Sequence, residues 1–214
     1  LELDGSDPFI VRNDADLDEA VKAAVIGRYQ NSGQVCAAAK RLIVEQGVVE
    51  AFTRKFVEAT RQLVMGDPLI AETYIGPMAR FDLRDELDGQ VQATLKEGAT
   101  LLLGGGKVEG SGNYYEPTIL ADVTDQMTSF RQELFGPVAS IITARDAEHG
   151  LQLANDSEFG LTATIYTADI DLARKTADEY IKKFDIRPPN KDLKTANLSG
   201  GNQQKVVLAR EMER

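Results

Sequence analysis

The chain has 214 residues, 43% of them apolar and 27% charged, which suggests one soluble domain with a sizeable core, or one and a half. Its 24 Lys and Arg against 34 Asp and Glu give a net charge of −10, which argues against a nucleic-acid partner because phosphate binding needs a basic face. The sequence has no membrane-length apolar run and no signal peptide, so the protein is expected to be cytoplasmic and to have no membrane partner. With one Cys and one His, it is expected to form no internal disulfide and no metal site.

Strand and helix patterns alternate along most of the chain. Asp14 or Asp16 can cap the first helix, and Val49, Phe52 and Phe56 mark one face of the second. This alternation predicts a layered α/β fold with a mainly helical C-terminal tail. The patterns predict strands at 9–11, 41–45, 99–103 (buried), 138–144 and 161–167, an extended segment at 115–121, and helices beginning near 17 and over 48–65, 81–97 and 147–154, with helical pattern again from 170.

The stretch YQNSGQVCAAA, residues 29–39, contains the only cysteine, Cys36. Gly33 allows a tight turn and a close approach of the backbone to a ligand. The alanines after Cys36 can continue as a helix or as a short turn; at a helix N-terminus the dipole would favour the thiolate. The alternative is that Cys36 is a small buried hydrophobe.

Four stretches in order resemble motifs of the aldehyde dehydrogenase superfamily, and bacterial succinate-semialdehyde dehydrogenases most of all. They are LELDGSDPFIV at the start, YQNSGQVCAAAKRLIV around Cys36, YYEPTIL at 114–120 and QELFGPV at 132–138. The resemblance covers residues 1–178 and implies that family's layered catalytic domain. Asp4 stands where the family has the first glycine of its L-E-L-G-G block. A carboxylate there would lower the reactivity of the thiol, or be harmless if it points outward.

The resemblance implies a role for each matching residue. Cys36 would attack a small-molecule aldehyde, with its own N–H as one oxyanion donor, and Glu2 would activate the water that hydrolyses the thioester. Glu133 would hold the nicotinamide ribose of NAD or NADP, and Phe135 would pack near the nicotinamide. The plainer alternatives are a solvated Glu2 at a fraying terminus, a surface charge for Glu133 and a core position for Phe135.

The family's dinucleotide-binding half has no counterpart in this sequence, and no G-x-G-x-x-G follows a strand. We therefore expect no dehydrogenase activity from this chain alone, and the choice between NAD and NADP stays open. A truncated interface that exposes apolar strand edges would favour a homo-oligomer.

Residues 179–214 differ in composition, with a linker at 186–197 that contains Pro188-Pro189. LSGGNQQKVVLAR, at 198–210, resembles the signature motif of sugar and nucleoside ABC transporter ATPases, in which Ser199, Gly200 and Gly201 would contact the ATP γ-phosphate. No Walker A motif accompanies it. The sequence thus predicts a chimera with a junction near 177–180, and two alternatives to the dehydrogenase reading: a non-enzymatic scaffold or an ABC-like ATP-binding fragment.

Overall fold

The computed structural model describes residues 5–110, 112–169 and 171, where one six-stranded sheet has the order β3-β4-β5-β2-β1-β6. All neighbouring strands are parallel except β3 and β4, which are antiparallel. The strands are β1 (Asp7–Val11), β2 (Ala39–Glu45), β3 (Thr100–Leu103), β4 (Thr118–Ala121), β5 (Val138–Ala144) and β6 (Thr164–Tyr166). The helices are α1 (Leu17–Tyr29), α2 (Val49–Arg61), α3 (Phe81–Lys96), α4 (Thr128–Arg131) and α5 (Ala147–Asn155).

Both faces of the sheet are covered, and successive strand residues enter opposite cores. Ile10 and Ile43 pack with α3 and α5 on one face, whereas Phe9 and Leu42 pack with α1 and α2 on the other. The continuous apolar runs of β1 and β2 follow from this burial on two sides. The predicted α/β class is confirmed.

Two acidic residues near the start of α1 have different roles. The Asp16 carboxylate accepts hydrogen bonds from the N–H groups of Asp18 and Glu19, so Asp16 is the helix cap. Asp14 instead accepts from the Thr167 hydroxyl at 2.9 Å and holds the segment after β6. Local sequence offered both residues as caps, and only the tertiary contact separates them.

Two predicted elements differ from the structure. The strand at 99–103 was expected to be buried, but β3 is an antiparallel edge strand whose Thr100 and Leu101 are exposed. The helix over 48–65 ends at Arg61, ahead of Gly66 and Pro68. The predicted helical pattern from 170, apart from residue 171, and the whole tail lie outside the described residues. Within the described ranges, no helix has the length and apolarity that a bilayer crossing requires.

Candidate functional site

Three motif segments meet at the amino ends of neighbouring parallel strands. Gly5 precedes β1, Cys36 precedes β2, and the segment 133–136 precedes β5. Because β5, β2 and β1 are adjacent and parallel, their amino ends lie at one edge of the sheet. The fold thus brings together segments that are far apart in the sequence.

Cys36 occupies the second position of a four-residue turn. The Ala38 N–H donates to the Val35 carbonyl at 3.1 Å, and the chain then enters β2 directly. The expectation of a helix N-terminus at the thiol is therefore wrong, and the alternative of a short turn is confirmed. Cys36 is half-buried and belongs to neither apolar cluster of the described residues, so it is not a core side chain.

The approach to this turn has an unusual backbone. Asn31, Ser32 and Gly33 have φ angles of 53°, 55° and 72°, three consecutive left-handed residues. Such conformations cost on the order of 1–3 kcal/mol for a residue with a side chain and persist only when the surroundings hold them. The Ser32 hydroxyl provides that support by donating to the Gly76 carbonyl at 3.0 Å and accepting from the Gly76 N–H at 2.9 Å.

Two glycines allow the segments to touch through their backbones. A Cβ at Gly33 would lie 2.6 Å from the carbonyl carbon of Gly136 and 2.8 Å from Nη2 of Arg28. A Cβ at Gly5 would strike the carbonyl oxygen of Cys36. Backbone packing at these points excludes any larger residue. Gly5 therefore lies directly against the Cys36 carbonyl, whereas Glu2 lies outside the described residues.

Arg28 at the end of α1 joins the loop before Cys36 to the loop before β5. Its fully buried guanidinium donates to the carbonyls of Gly33 at 3.3 Å, Leu134 at 3.0 Å and Gly136. Burial lowers the pKa of Arg28 to about 10, so it remains charged at neutral pH. A cation that binds main-chain carbonyls fixes the shape of both loops.

Lys40 makes a second connection at this edge. Its Nζ donates to the carbonyls of Val35 at 3.0 Å and Cys36 at 2.8 Å, and lies 2.8 Å from Oε1 of Glu133 in an ion pair. The Lys40 side chain is 1% exposed and that of Glu133 13%. Burial lowers the pKa of Lys40, and the Arg28 charge adds to this effect. Glu133 is thus not the solvated surface charge of the alternative interpretation.

Neither Lys40 nor Arg28 was predicted as a site residue. The one available signal for Lys40 was its place inside the apolar run AAAKRLIV, most of which lies in the fully buried strand β2, where a Lys needs partners. Phe135, which follows on the loop with Glu133, is half-buried and belongs to neither apolar cluster, so the core alternative is not supported.

The start of β1 is held by hydrogen bonds to Thr162, just before β6, and to Arg41 of β2. Asp7 accepts hydrogen bonds from the Thr162 N–H at 2.9 Å and hydroxyl at 2.7 Å, and the Arg41 Nε donates to the Ser6 carbonyl at 2.9 Å. Burial raises the pKa of Asp7 to about 6. These contacts fix the chain where it reaches the Cys36 turn.

A groove of about 1220 Å³ lies elsewhere, between α1, α2 and the β3–β5 side of the sheet. None of its lining residues belongs to the motif segments. Across the described ranges, no group of three or more His, Cys, Asp or Glu side chains suits a metal ion. The convergence of loops at Cys36 is therefore the better candidate site.

The aldehyde dehydrogenase family profile matches residues 1–182. The succinate semialdehyde dehydrogenase Sad of Escherichia coli K12, named for NAD(P)+, is 67% identical over 177 residues that cover 83% of this chain and 38% of that protein. The succinate-semialdehyde dehydrogenase of Mycobacterium avium, named for NADP+, is 45% identical over an alignment that covers 84% of this chain and 38% of that protein. The betaine aldehyde dehydrogenase of Rhizobium leguminosarum bv. trifolii is 37% identical over an alignment that covers 99% of this chain and 45% of that protein.

Solved structures agree in fold. Lactaldehyde dehydrogenase from Escherichia coli superposes with a TM-score of 0.79 at 40% identity, covering 82% of this chain and 37% of that one. Succinate-semialdehyde dehydrogenase from Burkholderia pseudomallei gives a TM-score of 0.80 at 35% identity, covering 83% and 37%. The chain spans less than half the length of these relatives.

Proposed function

We propose a function from one premise: the chain belongs to the aldehyde dehydrogenase family. The chain contributes the covalent chemistry of aldehyde oxidation: a thiol adds to the aldehyde to give a thiohemiacetal, transfer of hydride from that adduct to a bound nicotinamide would leave a thioester, and water hydrolyses the thioester to the acid and the free thiol. The observation that carries the proposal is the buried connection among the Cys36 turn, Lys40 and Glu133. This connection supports a single site that contains both the nucleophile motif and the Glu133 motif.

Each motif residue has a step in this proposal. The Cys36 sulfur attacks the carbonyl carbon, and the Cys36 N–H donates to the oxygen that becomes negative. Glu2, on the segment that leads to Gly5 beside the Cys36 carbonyl, removes a proton from the water that cleaves the thioester. The left-handed residues before Cys36 support this assignment, because backbone strain clusters at functional sites.

The residues at this edge fit the nicotinamide end of NAD or NADP. Lys40 Nζ lies 2.8 Å from Oε1 of Glu133, and a carboxylate has a second oxygen, so Glu133 keeps capacity to accept from a ribose hydroxyl. Phe135, on the same loop, offers a half-buried aromatic face. When bound, the nicotinamide supplies the hydride acceptor that turns the aldehyde adduct into a thioester.

The proposed substrate is a short aldehyde that also bears a carboxylate. Support comes from the relatives named for succinate semialdehyde, which reach 67% identity, against 37% for one named for betaine aldehyde. The test is protection of the Cys36 thiol against iodoacetamide. Succinate semialdehyde should slow alkylation at concentrations where betaine aldehyde does not; equal protection, or stronger protection by betaine aldehyde, would contradict the substrate proposal.

The test of the whole function is acyl transfer from p-nitrophenyl acetate, which needs no nicotinamide. The 214-residue chain should release close to one equivalent of nitrophenol in a burst, and Cys36→Ala should release none. Glu2→Gln should keep the burst and slow the turnover that follows, because only hydrolysis uses the base. A burst that persists in Cys36→Ala, or no burst in the unaltered chain, would refute the function.

The boundary of the family domain near residue 178 is a further part of the proposal. The family match ends at residue 182, and the Sad alignment covers 83% of the chain. The betaine aldehyde dehydrogenase alignment covers 99%, however, so the tail also aligns with this family, which weighs against the ABC-type alternative. Binding of a fluorescent ATP analogue that is lost when 186–214 are deleted would reverse that preference.

A further inference from the structure

The Lys40 ammonium faces two successive peptide groups of the nucleophile turn. It donates to the Val35 carbonyl at 3.0 Å and to the next carbonyl, that of Cys36, at 2.8 Å. The Val35 carbonyl also closes the turn by accepting from the Ala38 N–H at 3.1 Å. Both carbonyls therefore point into the protein, toward the same buried cation.

The direction of these carbonyls fixes the direction of two N–H groups. In a trans peptide the C=O and the N–H of the same plane point in opposite directions. The Val35 carbonyl shares its peptide with the Cys36 N–H, so this N–H points away from Lys40. Within residues 5–110, 112–169 and 171, no acceptor bonds the Cys36 N–H. The turn thus presents a free donor beside the sulfur.

Fold stability alone does not account for a lysine here. Burying an ammonium costs several kcal/mol unless it is well paired, and an apolar side chain of similar length carries no such cost. Lys40 pairs with Glu133 and is also attracted by the Asp7 carboxylate, but burial and the nearby Arg28 charge outweigh both and lower the pKa of Lys40. The position therefore retains a cation in surroundings that disfavour one.

We propose that Lys40 is a positioning residue, which holds the Cys36 N–H toward the oxygen of the reacting carbonyl and ties this peptide to Glu133. It rests on the proposed function, in which that N–H stabilises the oxyanion. The Lys40 ammonium then links Glu133, which contacts the cofactor in that function, to the Val35–Cys36 peptide, which contacts the substrate. Lys40 itself touches neither substrate nor cofactor.

The experiment compares two reactions of the same thiol in the full chain. Acyl transfer from p-nitrophenyl acetate forms an oxyanion, whereas alkylation by iodoacetamide does not. Lys40→Met should slow the acyl burst at least about tenfold, while alkylation changes by less than about threefold. Lys40→Arg, which keeps the charge and the donors, should recover part of the burst rate. The control Lys22→Met removes an exposed cation of α1 and should leave both rates unchanged.

Amide hydrogen exchange at residues 35–38 provides an independent readout. In Lys40→Met, exchange in this turn should accelerate while exchange in β1 and α3 stays as in the unaltered chain. A parallel loss of burst and alkylation would overturn the proposal, because it would mean that the whole site had collapsed. An unchanged burst, or unchanged exchange, would also overturn it. If the unaltered chain shows no burst but exchange in the turn still rises, the proposed function fails and the hold of Lys40 on the turn stands.

Discussion

The two ends of the parallel strands are built from different interactions. At the carboxyl ends of β1 and β2, Arg12 pairs with Glu45, whose carboxylate also accepts the Asn13 N–H at 2.9 Å. At the amino ends, the cations Arg28 and Lys40 mostly bind main-chain carbonyls. The Arg12–Glu45 pair holds the backbone through the Asn13 N–H alone, whereas Arg28 and Lys40 together bind five main-chain carbonyls and so constrain loop shape more strongly.

This difference separates the carboxyl end of the sheet from the end where the proposed site lies. Open α/β sheets generally bind ligands at the carboxyl ends of their strands, yet here the motif residues gather at the amino ends. Strained backbone and buried charge concentrate at the same edge. The motif residues therefore lie on the loops that tertiary contacts hold rigid, and the general rule for open sheets does not predict their position.

Gly33→Ala should break the amino end most severely. The new Cβ would meet the Gly136 backbone and the Arg28 guanidinium, in a residue with φ of 72°, so we expect a loss of about 4 kcal/mol or failure to fold. Gly47→Ala at the carboxyl end is the control, because its Cβ would meet only the Asn13 side chain, which can move. Urea unfolding followed by circular dichroism measures both. Equal losses would mean that the two ends do not differ in rigidity.

Glu133→Gln should destabilise the fold by about 3 kcal/mol, because it leaves the buried Lys40 without its carboxylate. Glu45→Gln, at the opposite end, should cost about 1 kcal/mol, since Arg12 is 19% exposed and reaches water. Chemical denaturation of both variants at pH 7 gives the comparison. A larger loss for Glu45→Gln would reverse the assignment of the sensitive end.

Asp7→Asn should stabilise the protein above pH 6, by up to about 3 kcal/mol. Burial raises the Asp7 pKa from 3.8 to about 6, so the folded state holds the proton more tightly than the unfolded state. The contribution of Asp7 to the free energy of unfolding therefore falls as the pH rises from about 4 to 6, and the loss is complete above that range. Unfolding free energies at pH 4.5 and pH 8 test this. A variant that is less stable than the unaltered chain at pH 8 would contradict the sign.

Gly89→Ala should have the smallest effect and the opposite sign. Gly89 lies inside α3, and a Cβ there would have no neighbour within 4 Å. Alanine lowers the entropy of the unfolded chain and favours the helix, so we expect a gain of about 0.5–1 kcal/mol. A rise in the thermal midpoint checks it, and the acyl burst should not change. A lower midpoint would show that α3 has a contact not apparent at this position.

Much of the fold was predictable because its signals are local. The apolar runs at 41–45 and 138–144 predicted β2 and β5, and the spacing of Val49, Phe52 and Phe56 predicted α2. The exposure of β3 was not predictable, since an apolar strand pattern does not say whether a neighbour covers it. For the same reason, sequence placed Cys36 and Glu133 in one family site without revealing the lysine that joins them.

The sequence by itself determined the α/β class, the approximate positions of most strands and helices, and the candidate reactive residues. Periodicity and residue type are properties of short segments, so they can be read without the fold. Only the tertiary structure decided that the motifs meet at the amino ends of the strands, that Asp16 rather than Asp14 caps α1, and that Arg28 and Lys40 lie buried among carbonyls. Those outcomes depend on strand order and on contacts between residues up to 153 positions apart, such as Asp14 and Thr167. Local pattern contains no information about such partners.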